Sequence, residues 1–267
     1  MRHSFIVILS LLIPFISFGQ CIPEEPLLRD GEKATYIATY NWGPVWVDAG
    51  EVTFSAEKTE YRGKPAYHLK STGTTYKAYD LLFKVRDFYD SWVDPVTLKS
   101  YEFRRQINEG GFILFNNIVF FQDLGYALSN LKRPNKPIKT DTLPIRSCTF
   151  DMLASVYYVR SLDLGAMEEN APFPVEVMID DSLYKIRVKK MGTEVKENRD
   201  GKRYLCYRLS ATMVEGTIFR KDEEALVWVT ADSNKVPVVV EAKILVGTVK
   251  AYLKEAKGLA EPLNPIK

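Results

Sequence analysis

The chain is poor in the residues that do chemistry. It has two histidines and three cysteines in 267 residues. His3 sits in an apolar N-terminal segment, which leaves His68 as the single candidate base. A Ser-His-Asp arrangement needs that base to be held by a third group. His68 lies between Tyr67 and Leu69 in an alternating stretch, and we read it as structural or surface. No His/Cys spacing suits zinc, and no Gly-rich phosphate loop is present. The densest acidic group is Asp87, Asp90 and Asp94 around Trp92. Paired carboxylates could serve glycoside hydrolysis or calcium binding. In a strand, however, Asp87 faces one side while Asp90 and Asp94 face the other. The reading is a turn at Asp94-Pro95 and solvation of the rest. Asp222-Glu223-Glu224 reads the same way, as a solvated acidic loop. No catalytic residue, metal ligand or cofactor is assigned.

The remaining candidates are ligand contacts. Arg160 could clamp a carboxylate or phosphate with its planar fork of donors. The favoured alternative is an ion pair that pins a helix to a sheet. Asp151 and Tyr158 share that helix with it. Aromatic residues make up 12% of the chain, with tryptophans at 42, 46, 92 and 228. Trp92 and Trp228 could line a lipid or glycan groove, although aromatics more often fill cores or cross-strand pairs. The candidate ligand-binding set is therefore Arg160, Trp92, Trp228, Asp151 and Tyr158.

Other features bound where such a protein works. Arg2 and His3 precede an apolar run from Phe5 to Phe18, and Ser17-Phe18-Gly19 supplies small residues at cleavage positions before Gln20. Residues 1–19 read as a secretory signal peptide, and the run is short for a membrane span. The expected location is the periplasm. Cys21 offers an alternative, a lipoprotein anchored to the membrane through that residue, which Gln20 disfavours. In an oxidising compartment a disulfide can persist. Cys148 and Cys206 could form one, or remain buried thiols, since pairing is not legible from spacing. The net charge of +2, with no basic run, argues against a nucleic-acid partner.

Period-two patterning dominates the rest. Residues 20–31 form a Pro-containing leader. Residues 32–121 form one β-rich half, with strands expected near 33–40, 45–57, 66–72, 86–93, 98–106 and 112–121, and a helical turn near 79–85. Residues 122–165 hold a long proline-punctuated surface loop, then a helix over Thr149–Leu164. Ser147 or Thr149 is its expected N-cap, and Met152, Leu153, Val156, Val159 and Leu162 or Leu164 its apolar stripe. Asp151, Ser155 and Tyr158 share the opposite face. Residues 166–255 form a second β-rich half, with strands near 174–179, 184–197, 203–213, 225–230, 236–245 and 248–254. Residues 256–267 read as a flexible tail.

The halves resemble each other. A Gly-Lys turn runs into a Tyr-containing strand at Gly63-Lys64 and again at Gly201-Lys202, and Trp92 and Trp228 follow at nearly equal offset. The expected fold is mainly β: an antiparallel, strongly curved sheet or two half-barrels from a duplicated meander, packed on one central helix. Glu32, Tyr36, Tyr40 and Gly50, the helical pattern Asp151-x3-Ser155-x-Tyr157-x2-Arg160, and Trp228-x3-Asp232-x4-Pro237 with Gly247 resemble an exported bacterial family, domain of unknown function 3108. The resemblance runs from about Glu32 to Leu253. It implies a periplasmic β-rich protein without established activity, and by analogy the curved half-barrels of lipoprotein carriers. The functional expectation is a non-enzymatic carrier or binding protein for an apolar or amphipathic envelope molecule such as a lipid. An interaction protein of envelope assembly, using exposed strand edges, is the alternative. A carboxylate-based hydrolase is third.

Overall fold

A computed structural model describes residues 21, 23, 25–42, 45–214, 223–244 and 247–266. The expected signal peptide and Asp222 lie outside the described residues. Among the described residues fifteen strands form one sheet. β1 (Glu32–Trp42), β2 (Val45–Tyr61), β3 (Lys64–Thr75), β4 (Arg86–Val93), β5 (Ser100–Glu109), β6 (Phe112–Phe121), β7 (Tyr126–Lys132) and β8 (Lys139–Pro144) run as an antiparallel meander. After β9 (Thr149–Phe150) and the helix α1 (Met152–Ser161), a second meander follows. It comprises β10 (Phe173–Ile179), β11 (Ser182–Glu197), β12 (Arg203–Thr212), β13 (Glu224–Thr230), β14 (Pro237–Lys243) and β15 (Thr248–Lys257).

The two meanders join where β1 pairs with β15, so the order runs β8 through β1, then β15 down to β9. The sheet is one, not two half-barrels. Among the described residues no ladder joins β8 to β9, so it is not closed. The β10–β11 turn nevertheless reaches the far side. Asp180 pairs with Arg105 and Arg133, its carbonyl accepts from Ser129 Oγ at 2.6 Å, and Asp181 pairs with Lys139 at 2.7 Å. Polar stitches take the place of the last ladder.

Period-two rows across β1–β5 explain the interior. Glu32, Ala56, Leu69, Ser91 and Phe103 stand side by side in register, as do Ala34, Phe54, Ser71, Tyr89 and Arg105, then Tyr36, Val52, Gly73 and Asp87. The first row is sealed beneath α1, sharing a core with Leu153, Ala154 and Tyr157. Burying such side chains contributes about 1.5–3 kcal/mol each. A second core of Leu164, Leu209 and Val229 takes Val159 and Leu162 of the helix and the segment after it.

Several expectations are corrected. α1 starts at Met152, because Thr149 and Phe150 pair with β10 as a strand. Its N-cap is Asp151, whose carboxylate accepts from the amides of Leu153 and Ala154. The buried face is Leu153, Ala154, Tyr157, Tyr158, Arg160 and Ser161, while Val156 is exposed, so the apolar stripe is rotated from the expected one. The expected loop 122–148 contains β7 and β8; Ala127, Ser129 and Leu131 face inward there despite the prolines that follow. The tail is not free. β15 runs to Lys257, Leu259 and Leu263 join cores, and Ile266 bridges to Arg203. Cys148 bonds to Cys21, not to Cys206, with Cα atoms 5.5 Å apart. Cys206 is buried on a different part of the sheet. A lipid thioether would need the sulfur that Cys21 places in this disulfide.

Candidate functional site

The rows that seal the core at one end become hollow toward the other. Between Phe54 and the row ends, the inward positions are Ser71, Gly73, Gly50 and Ala38, too small to fill the space beside the helix. A cavity of 870 Å³ results. Its walls are mainly apolar: Val52, Phe54, Val85, Met152, Leu153 and Val249 among them. That volume is within the range of small-molecule sites, roughly 300–1,000 Å³. Gly50 cannot be replaced without movement, because a Cβ there would sit 2.1 Å from the carbonyl oxygen of Thr74. Gly73 is different: an added Cβ meets only Asp87 Cβ at 3.8 Å and points into open space.

At the cavity's rim the segment between β3 and β4 carries Leu81, Leu82 and Phe83, all exposed, with Leu81 at 97%. Leu82 and Phe83 also line the cavity. The Phe83 ring lies on Gly110 of the β5–β6 turn, where a Cβ would come within 2.6 Å of the ring. This segment is held by polar contacts: Arg86 reaches Asp80 at 2.6 Å and the carbonyl of Thr75 at 3.1 Å.

The polar groups of the lining are hydroxyls and the carboxyls of Glu51, Asp87 and Glu109. Asp87 is buried and accepts the backbone N–H of Asn108 at 3.0 Å. Glu109 bridges to Val85 and places its carboxyl in hydrogen-bonding reach of Asp87. Burial, then the neighbouring Asp87 carboxylate, pushes Glu109 up to about 7, and burial likewise raises Asp87. Like charges in an apolar setting cannot both ionise cheaply, so the pair shares a proton near neutrality. Beside it, burial holds the phenol of Tyr89 well above the ordinary tyrosine range. Among the described residues no group of three or more His, Cys, Asp or Glu could hold a metal ion.

None of the five candidates chosen from sequence lines this cavity. Arg160 is buried against Glu32, with Nη1 2.6 Å from Oε1, while its other nitrogens donate to the carbonyls of Lys235 and Asn234. Its three nitrogens are all engaged by protein. Asp151 is fully buried and accepts from Ser91 at 2.5 Å and Ser100 at 2.6 Å besides capping the helix. Tyr158 stacks on Phe150 and lies tilted against Phe173. Trp92 lies on the opposite face of β4 from Ser91 and Val93, stacked on His68 and beneath Arg104. His68 bonds Asp90 at 2.8 Å there. Trp228 lies away from the helix, under Lys196, with its indole N–H on Glu194. Asp94 caps its own turn through Val96 and Thr97.

The residues that make the cavity escaped the sequence reading. Asp87 was separated from its neighbours on β4, but its partner is Glu109 on the next strand, 22 residues away by subtraction of their numbers. Hairpin register would have been the signal: Val85 and Glu109 are opposed, which puts Asp87, two residues along β4, on the same face as Glu109.

Comparison with known proteins agrees with the architecture. A β-barrel-like protein of domain of unknown function DUF1849 from Brucella abortus superposes with a TM-score of 0.59 at 9% identity, over 86% of this chain and 98% of that one. At that identity the likeness shows the fold alone. A Bacteroides fragilis protein with a YmcC-like fold aligns over 89% of this chain and 100% of its own at 12% identity, with a TM-score of only 0.31. Among curated proteins none matches the chain in sequence. A family match spans residues 35–254, most of both meanders, and the chain thus belongs to the DUF3108 family of proteins of unknown function.

Proposed function

We propose that this is an exported, non-enzymatic carrier or binding protein for an apolar or amphipathic molecule of the cell envelope. The observation that carries the reading is the 870 Å³ cavity with mainly apolar walls, opening beside exposed Leu81, Leu82 and Phe83. An interior built for stability alone would be filled, since protein cores pack to crystal-like density. A mouth rimmed by exposed apolar side chains suits a ligand handed over from a lipid surface or another apolar site. The N-terminal apolar segment and the Cys21–Cys148 disulfide support an oxidising, exported setting. The strand order also suits a tandem duplication, in which the first strand of one copy pairs with the last strand of the other. Asp87 and Glu109 favour a ligand contact over glycoside hydrolysis. Their carboxyls sit in mutual hydrogen-bonding reach, whereas glycosidases hold theirs about 5 Å or more apart around the sugar bond.

The test combines native mass spectrometry of the protein purified from its own compartment with binding of a neutral fluorescent naphthylamine. Wild type should carry a small apolar molecule and bind the probe. Gly73→Leu should fill the cavity and weaken probe binding by about tenfold or more at unchanged melting temperature. A folded Gly73→Leu protein that binds the probe as wild type does, or a wild type that takes up neither, would overturn the proposal.

A further inference from the structure

The ionisable groups lining the cavity are one-sided. They are Glu51, Asp87, Glu109 and the tyrosines Tyr40, Tyr79 and Tyr89; among the described residues the lining has no lysine, arginine or histidine. Glu51 is already matched by Lys254 at 2.6 Å, with Tyr76 donating at 3.2 Å. The Asp87–Glu109 pair has no such partner. Arg105 on β5 favours the charged form of both acids, but its guanidinium is drawn across to Asp180 of the β10–β11 turn and to Met152 Sδ. Tyr89 of β4, on the same strand face as Asp87, and the uncharged Met152 of α1 line the same cavity. The Tyr89 hydroxyl makes no hydrogen bond among the described residues, although its ring packs on Phe103 within the interior. Two acids and a phenol without a hydrogen bond among the described residues thus lie in one apolar chamber, and the cation that bears on them, Arg105, is shared with Asp180.

We propose that the occupant is a cationic amphiphile, an alkyl chain carrying an amine head that sits against Asp87, Glu109 and the Tyr89 hydroxyl. The alkyl body lies along Val52, Phe54, Met152 and Leu153. This deepens the carrier reading and rests on it. An ammonium offers the two carboxylates hydrogen-bond donors and the missing charge, and Tyr89 can donate or accept. A carboxylate or phosphate head would meet like charge in a setting of low polarity, and the cation that bears on the site, Arg105, is already paired with Asp180. Because Glu109 gives up its proton near neutrality, the preference for an amine grows as the pH rises.

The experiment is displacement of the neutral naphthylamine probe by three dodecyl compounds of equal chain length: dodecylammonium, dodecanol and laurate. At about pH 8, dodecylammonium should displace the probe at least about tenfold more tightly than laurate. Its advantage over dodecanol should shrink at about pH 5.5 and in both Glu109→Gln and Asp87→Asn. Dodecanol binding should hardly move. If dodecanol and laurate bind as well as dodecylammonium at every pH, the cavity binds apolar chains and the head-group inference fails. If no compound and no probe binds, the carrier reading fails with it.

Discussion

Arg160→Met is the substitution with the best-defined cost. The guanidinium donates to Glu32 Oε1 at 2.6 Å, to Asn234 O at 2.9 Å and to Lys235 O at 3.1 Å, and lies 5.1 Å from the centroid of the Tyr157 ring. It ties the end of α1 to β1 and to the β13–β14 turn at once. Methionine keeps much of the volume but strands the Glu32 carboxylate, which is 4% exposed, and leaves two carbonyls without donors. Removing one partner of a buried pair costs roughly 3–5 kcal/mol. For a chain of this size that corresponds to a drop in Tm of about 6–20 °C. Urea unfolding of the oxidised protein measures it directly. Glu32→Leu should cost a similar amount. The double variant should cost clearly less than the two singles together, because it removes the stranded charge. A loss below about 1 kcal/mol for Arg160→Met, or strict additivity in the cycle, would refute the assignment of Arg160 as a structural bolt.

Three further outcomes are expected. Cys148→Ser, or reduction, releases a cross-link spanning 127 residues and should lower stability by about 2–5 kcal/mol in urea unfolding; equal stability of oxidised and reduced protein would refute it. Glu109 has a folded pKa raised above its unfolded value, so the folded state binds the extra proton, and stability should fall as pH rises from about 4.5 to about 7. Solvent at the mouth reduces the effect to about 1–2 kcal/mol, and Glu109→Gln should flatten that part of the stability–pH curve. Asp151→Ala removes the acceptor for Ser91, Ser100 and two helix amides and should cost about 2–4 kcal/mol, seen as lost near-ultraviolet signal at lower urea.

What the sequence made legible was whatever repeats locally. β4 and β6 lie where period-two alternation places them, at Arg86–Val93 and Phe112–Phe121. β7 was hidden because only Leu131 of its inward residues is strongly apolar, beside Ala127 and Ser129, and Pro134 and Pro137 follow the strand closely. The helix start was misread because Thr149 and Phe150 fit either a cap or a strand until β10 arrives to pair with them. The cavity was illegible for a deeper reason. It is made by small residues, Gly50, Ser71 and Gly73, that are unremarkable singly and matter only when register aligns them. Conspicuous residues misled in the opposite sense: Trp92 and Trp228 are large, but the pleat turns both away from the helix-facing interior.

The pairing of β1 with β15 has a kinetic consequence. Thr39 donates to the carbonyl of Lys250, 211 residues away, while most other neighbours in the sheet are joined by short hairpins. The hairpins can zip locally, but this seam must wait until both arms are in place, since non-local pairing recovers its loop-closure entropy last. Contacts absent from the folding transition state act on unfolding alone. Weakening the seam, for instance with Ala38→Gly opposite Ala251, should therefore speed unfolding and leave the refolding rate nearly unchanged. The seam acts as a latch that sets how long the folded shell persists.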